Sequence, residues 1–307
     1  MIVALSGGIG GAKLAVGLAE VLPAAQLTVI ANVGDDFEHL GLAISPDIDT
    51  LTYALAGLDN PELGWGRRDE TWSFMETLAA LGGETWFRLG DRDLALHVER
   101  TRRLRAGESL SDVTDHVRRR LGIGARILPA TDDRVRTRLR TESGWMDFQP
   151  WFVGLRAEPA VEELAFVGAE MARPLPAALA AIEDAEAVVI CPSNPFISIE
   201  PMLAVPGFRA ALADARAPVV VVSPIIGGRA VKGPTARMMA ALGLRPSARA
   251  VAERYGDLID VFVADEVDGG TLDGLACRVA LAPTLMTTSA EKAALARVVL
   301  REAAEPR

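Results

Sequence analysis

Half of the 307 residues are hydrophobic, yet no apolar run approaches the roughly 18 residues of a membrane span, so none is expected. There are only two cysteines, Cys191 and Cys277, and both sit in apolar, strand-like runs. Neither has a metal-ligand partner at short spacing, which excludes a disulfide framework and a cysteine zinc site. The three histidines, His39, His97 and His116, are scattered, and no metal spacing, Ser-His-Asp set or Cys-His set emerges. No surplus of positive charge exists overall, because the net charge is -9, and bulk nucleic-acid binding is excluded. Internal repeats and low-complexity tracts are missing as well. A strand beginning at residue 2 leaves no room for a signal peptide, and the expectation is a cytoplasmic protein.

What the chain does contain is a glycine-rich opening. The apolar run 2–5 breaks into Ser6-Gly7-Gly8-Ile9-Gly10-Gly11-Ala12-Lys13, and an amphipathic stretch over 12–21 follows. Strand, glycine turn and helix in this order aim backbone N–H groups and the positive end of a helix at an anion. Glycine lets the backbone come close to a phosphate. A tight β-to-α turn without a ligand has the same pattern. Neither standard glycine fingerprint is satisfied. A P-loop needs Lys followed by Ser or Thr, and Leu14 stands there. A dinucleotide fingerprint counted from Gly8 ends on Lys13, and the second strand ends on Asn32 instead of a ribose-binding acid.

Strands are expected at 2–5, 28–31, 187–191, 219–223 and 260–264, several followed by helical patterns at 12–21, 208–215 and 235–242. Near-continuous Val, Ile and Ala runs suit a parallel sheet covered on both faces. The fold class is therefore α/β: Rossmann-like, a mostly parallel doubly wound sheet in a single domain spanning 1–307. The middle differs. Helices are expected at 71–81, 94–104 and 110–121, then a hairpin of 134–141 and 145–153 about Ser143-Gly144. The stretch 60–165 reads as an inserted subdomain, helical and β-hairpin in character. From Arg88 to Arg140 there are 14 Arg against 8 Asp plus Glu. A solvated helical face or a nearby anionic substrate accounts for that surplus.

Ligands of open α/β sheets sit at the carboxyl ends of the strands. After the second strand come Asp35, Asp36, Asp47 and Asp49, four aspartates in fifteen residues. Oxygen ligands suit magnesium, which needs one or two carboxylates besides phosphates and waters. Ordinary turn and N-cap chemistry is the other reading of these aspartates. After the strand at 187–191, Pro-Ser193-Asn194-Pro exposes groups able to bond a phosphate, sugar or base. After the next strand, Gly227-Gly228 and Lys232-Gly233 repeat the glycine-plus-base pattern. In the insertion, Trp86-Phe87 beside Arg88 suits stacking on a flat ring, or plain packing.

Taken together, SGGIGGAK (6–13), NVGDD (32–36), SPDIDT (45–50), GWGRRDETW (64–72), WFRLGDRDLALH (86–97), RVRT (134–137), FQ (148–149), PSNPFISI (192–199) and SPIIGG (223–228) occur in the order seen in one family. The chain resembles the 2-phospho-L-lactate transferase family of coenzyme F-420 biosynthesis, from residue 1 to about residue 290. The resemblance implies a Rossmann-like core with an inserted subdomain, a homodimer, and magnesium as cofactor. It implies a guanosine diphosphate-linked acid (lactyl, enolpyruvyl or glyceryl) as donor. The acid and its phosphate would pass to the terminal hydroxyl of a deazaflavin alcohol, releasing GMP. By resemblance, Asp49 and Arg88 fall on deazaflavin-contacting positions, and the glycine loop and Pro-Ser-Asn-Pro turn fall on the guanosine diphosphate side. The resulting expectation is Asp49 as the catalytic group orienting the attacking hydroxyl. Asp35, Asp36 and Asp49 would hold magnesium. Gly8, Gly10, Gly11, Lys13, Ser193, Asn194 and Gly227 would surround the guanosine diphosphate. The rival classes are an NAD- or FAD-type oxidoreductase and a non-catalytic nucleotide-binding protein.

Overall fold

A computed structural model describes residues 1–305. Seven strands build one parallel sheet. They are β1 (Ile2–Ser6), β2 (Leu27–Ala31), β3 (Arg126–Pro129), β4 (Ala187–Ile190), β5 (Val219–Val222), β6 (Val261–Ala264) and β7 (Arg278–Leu281). Their spatial order is β3-β2-β1-β4-β5-β6-β7, all pairs parallel. The order reverses between β1 and β4, which sets the topological switch point there.

The five expected strands are the five interior ones, and every residue of β1, β2, β4, β5 and β6 is buried. Both faces are covered, so each reads as a continuous apolar run. The two edge strands escaped that signal. Both β3 and β7 begin with Arg and keep an exposed or half-exposed residue, and β3 ends on Pro129, which an edge tolerates.

Helix α1 (Gly8–Val21) starts four residues earlier than its apolar pattern, inside the glycine run. Between β2 and β3 lie a short hairpin (Phe37–His39 with Leu42–Ile44) and four helices: α2 (Pro46–Leu55), α3 (Ser73–Ala80), α4 (Asp91–Arg105) and α5 (Leu110–Arg120). A small separate core of Ile44, Met75 and Leu89, flanked by Phe37, Trp72 and Phe87, holds the hairpin to α3. Between β3 and β4, Arg136–Thr141 pairs with Gly144–Asp147 on one side and Glu163–Val167 on the other. The expected hairpin is thus two strands of three. The stretch 60–165 is not wholly outside the sheet, since β3 passes through its middle. Past Asp147 the chain leaves the ladder for a π turn at Pro150–Gly154, which turns Phe148 and Trp151 inward.

Candidate active site

At the carboxyl ends of the strands lies a cleft of about 600 Å³. The loops after β1, β2, β4 and β5 form its floor, and the insertion supplies an aromatic wall. Of the residues expected around a nucleotide, Gly8, Gly10, Lys13, Ser193 and Asn194 line it. Gly11 and Gly227 do not. Gly11 is buried where a Cβ would strike the hydroxyls of Ser6 and Ser193, so it serves the packing of α1 on the sheet. Gly227 donates its N–H to Asp268 (3.1 Å).

The entrance of α1 already has partners within the chain. The Gly7 N–H donates to Ser193 Oγ (3.1 Å), and the Gly8 N–H to Asp47 Oδ1 (2.5 Å). Gly8 has φ +66°, where glycine is favoured, and Gly10 stands where a Cβ would collide with the Pro192 carbonyl. The glycines therefore bring α1 against the β4 loop and seat a carboxylate, that of Asp47, at its N-terminus. Asn32 donates to the other oxygen of Asp47 (2.9 Å) and to the Ile197 carbonyl (3.1 Å). That double duty explains an amide at the end of β2, where a dinucleotide site would carry an acid.

The four aspartates are all buried, and each has its own surroundings. Asp35 lines the cleft; its Oδ2 accepts from Gln149 (3.4 Å) and its Oδ1 has no partner among the described residues. Burial, then the neighbouring Asp47 and Asp36 carboxylates, push its pKa well above the usual range. Asp36 does not line the cleft. Its Oδ2 accepts from Ser45 (2.9 Å), Oδ1 has no partner among the described residues, and burial pushes its pKa up to about 7 against the pull of Arg136 and Ser45. Burial likewise raises Asp47 to about 6, opposed by the bonds from Asn32 and Gly8. Asp49 lines the cleft from the first turn of α2. Both of its oxygens are gripped by the buried guanidinium of Arg100.

Arg100 heads a set that the sequence reading passed over. Arg100 Nη1 donates to His97 Nδ1 (3.3 Å), which leaves the ring proton on Nε2, 3.2 Å from Asp93 Oδ2. Tyr53 donates to Asp93 Oδ1 (2.5 Å). Burial opposes the ionised form of Asp93, but His97, Tyr53 and Arg100 outweigh it and hold its carboxyl below the usual value. Asp93, His97 and Arg100 stand at i, i+4 and i+7, one face of α4. That spacing was visible, though masked by the run of other arginines. Most of those arginines make surface pairs instead, as in Arg102 and Arg103 with Glu99, or Arg118 and Arg119 with Asp115.

Trp86, Phe87, Phe148 and Phe152 line the cleft beside Arg88. Phe148 and Phe152 stack with centroids 5.3 Å apart, and Phe87 meets Phe37 edge-on at 4.8 Å. The Arg88 guanidinium lies over the Trp72 ring, 4.0 Å from its centroid. Such a wall offers a flat, apolar slot with a charged fork at its rim.

No group of three or more His, Cys, Asp or Glu among the described residues is arranged to hold a metal ion. Asp35, with one unpartnered buried oxygen at the cleft, still fits a magnesium ion that keeps waters and phosphate oxygens. Asp49 has both oxygens bound to the Arg100 guanidinium, whose positive charge already balances it and disfavours a cation there.

A Rossmann-like α/β protein with a cleft floor of aspartates and lysines and an aromatic wall is the class that this arrangement defines. The profile of the 2-phospho-L-lactate transferase CofD family matches residues 2–273, and the chain belongs to that family. It is 46% identical over 317 residues to a phosphoenolpyruvate transferase of Streptomyces griseus subsp. griseus, covering 100% of this chain and 99% of that one. It is 45% identical over 285 residues to a phosphoenolpyruvate transferase of Thermobifida fusca (88% of each chain) and 39% identical over 322 residues to one of Mycobacterium sp. strain KMS (97% of each). Among solved structures, a UPF0052 family member from Bacillus halodurans superposes with a TM-score of 0.63 at 17% identity, over 97% of this chain and 98% of that one, a likeness of fold. None of the helices among the described residues is long and apolar enough to cross a membrane.

Proposed function

We propose that this chain is a phosphoenolpyruvyl transferase of coenzyme F-420 biosynthesis. The donor is a guanosine diphosphate-linked enolpyruvate, the acceptor a deazaflavin alcohol, and GMP is released. The full-length likeness to phosphoenolpyruvate transferases favours the enolpyruvyl acid over lactyl or glyceryl. The observation that carries the reading is one cleft joining an aromatic slot to a floor of aspartates and lysines. The acceptor is a flat tricycle ending in a hydroxyl, and the donor is an anion.

In this reading the acceptor hydroxyl oxygen forms a bond to the outer phosphorus. The bond from that phosphorus to the bridging oxygen breaks, and GMP leaves with the oxygen. The enolpyruvyl group stays on the phosphorus, and the hydroxyl proton passes to solvent. Phosphoryl transfer needs little covalent help, so positioning and charge neutralisation do most of the work. A magnesium ion at Asp35 would neutralise charge on the diphosphate. Asp49 accepts a hydrogen bond from the attacking hydroxyl and orients it; Arg100 behind it fixes the carboxylate. Arg88 and the aromatic wall hold the deazaflavin. Lys13, Ser193 and Asn194 face the guanosine diphosphate. An NAD- or FAD-type reaction would lack its ribose-binding acid, since Asn32 is spent on Asp47 and Ile197.

Thermal-shift titration tests the nucleotide assignment. GDP with magnesium is expected to raise the melting temperature, by an amount equivalent to about 2.7 kcal/mol at a hundredfold excess over Kd. Chelator should weaken that shift. Stabilisation by NAD with none by GDP would overturn the assignment.

A further inference from the structure

The chain has only three lysines, Lys13, Lys232 and Lys292, against 29 arginines, and two of the three line the cleft. Lys13 Nζ donates to the Met286 carbonyl (2.6 Å) and Lys232 Nζ to the Gly64 carbonyl (3.1 Å). Neither forms an ion pair with a carboxylate among the described residues, although the acidic chain pairs a large share of its arginines. Burial, then the Lys232 and Lys292 ammonium groups, lower the pKa of Lys13, with Asp59 and Glu291 opposing them. Two amides at the entrance of α1, those of Gly7 and Gly8, are taken by Ser193 and Asp47. The cleft thus has two ammonium groups outside ion-pair contact on one side and, at Asp35, a buried carboxylate oxygen without a partner among the described residues on the other.

Lys232 has a further trait. It is exposed, and it sits on a loop framed by Gly227, Gly228 and Gly233, with φ of +55°, +74° and +73°. Its one bond, to a backbone carbonyl at the cleft mouth, is weaker than a bond to a phosphate oxygen. A lysine is a compact point charge on a flexible stem, suited to follow a phosphate, where the planar guanidinium asks for fixed bidentate geometry.

Resting on the reading above, we propose that Lys232 exchanges the Gly64 carbonyl for the outer phosphate of the donor and, with Lys13, forms a two-ammonium subsite for the group that is transferred. The inner phosphate and guanosine lie outside that subsite. GDP carries the outer phosphate and GMP lacks it, so the two nucleotides divide the cleft experimentally.

Calorimetric titration of GDP and of GMP into the intact protein, with magnesium present, tests this for the wild type, Lys232→Met and Lys232→Arg. The wild type should bind GDP more tightly than GMP. Lys232→Met should lose roughly tenfold in GDP affinity, the usual size for one charged contact, while GMP changes less than about twofold. Lys232→Arg should recover part of the GDP loss, an outcome that a purely structural role for the loop would not give. An unchanged ratio of GDP to GMP affinity in Lys232→Met would overturn the subsite and leave the transferase reading standing. A wild-type protein that binds neither nucleotide would overturn both.

Discussion

At the scale of single residues, the account turns on two aspartates with opposite environments. Asp49 is held on both oxygens by Arg100, and truncating its charge strands a buried guanidinium. Asp49→Asn should therefore cost about 3–5 kcal/mol of stability as well as activity. Assayed at a temperature where the variant is still folded, turnover should fall by about 100-fold or more. Near-normal turnover in the folded variant would contradict the role given to Asp49. Asp36 is the reverse case, a buried carboxylate raised to about 7 with an oxygen unpartnered. Between its ordinary value near 4 and about 7, the folded chain keeps a proton that the unfolded chain has lost. Its contribution is thus greatest at low pH and is lost as pH rises through that window. Asp36→Asn removes the effect, so the melting temperature of the variant minus that of the wild type should climb between pH 5 and pH 8. A difference that stays flat or falls would mean that Asp36 is not buried against its charge.

At the scale of elements, legibility followed burial. The five interior strands were readable because both faces are covered, and the edge strands β3 and β7 were not, because an edge admits Arg, Pro and half-exposed positions. The glycine turn was readable as a turn that meets an anion. Its anion within the folded chain is Asp47, some forty residues on, and only tertiary structure could reveal that. Asp49 and Asp35 were legible as cleft residues from their place after β2. The partner that separates Asp49 from a metal role, Arg100, lies 51 positions away on α4. Its signal was a helical spacing, Asp93-His97-Arg100, diluted by arginines that merely pair along the surface of α4 and α5.

At the scale of the whole molecule, a chain of net charge -9 is read as handling an anionic donor. That combination requires local charge where the donor lies, and Lys13 and Lys232, which line the cleft, are proposed to supply it. The sheet contributes the geometry. Its switch point between β1 and β4 opens the crevice, and the segments on either side of β3 close one side with aromatic rings. The central claim is that this crevice moves a phospho-acid from a guanosine diphosphate carrier to a deazaflavin. The most direct test is a single incubation of the purified protein with the deazaflavin alcohol, the guanosine diphosphate-linked enolpyruvate and magnesium, followed by mass spectrometry. The account predicts a deazaflavin heavier by one phosphoenolpyruvyl group, GMP in equal amount, and neither product when chelator replaces magnesium. Unaltered deazaflavin with the donor intact, or full turnover in excess chelator, would contradict it.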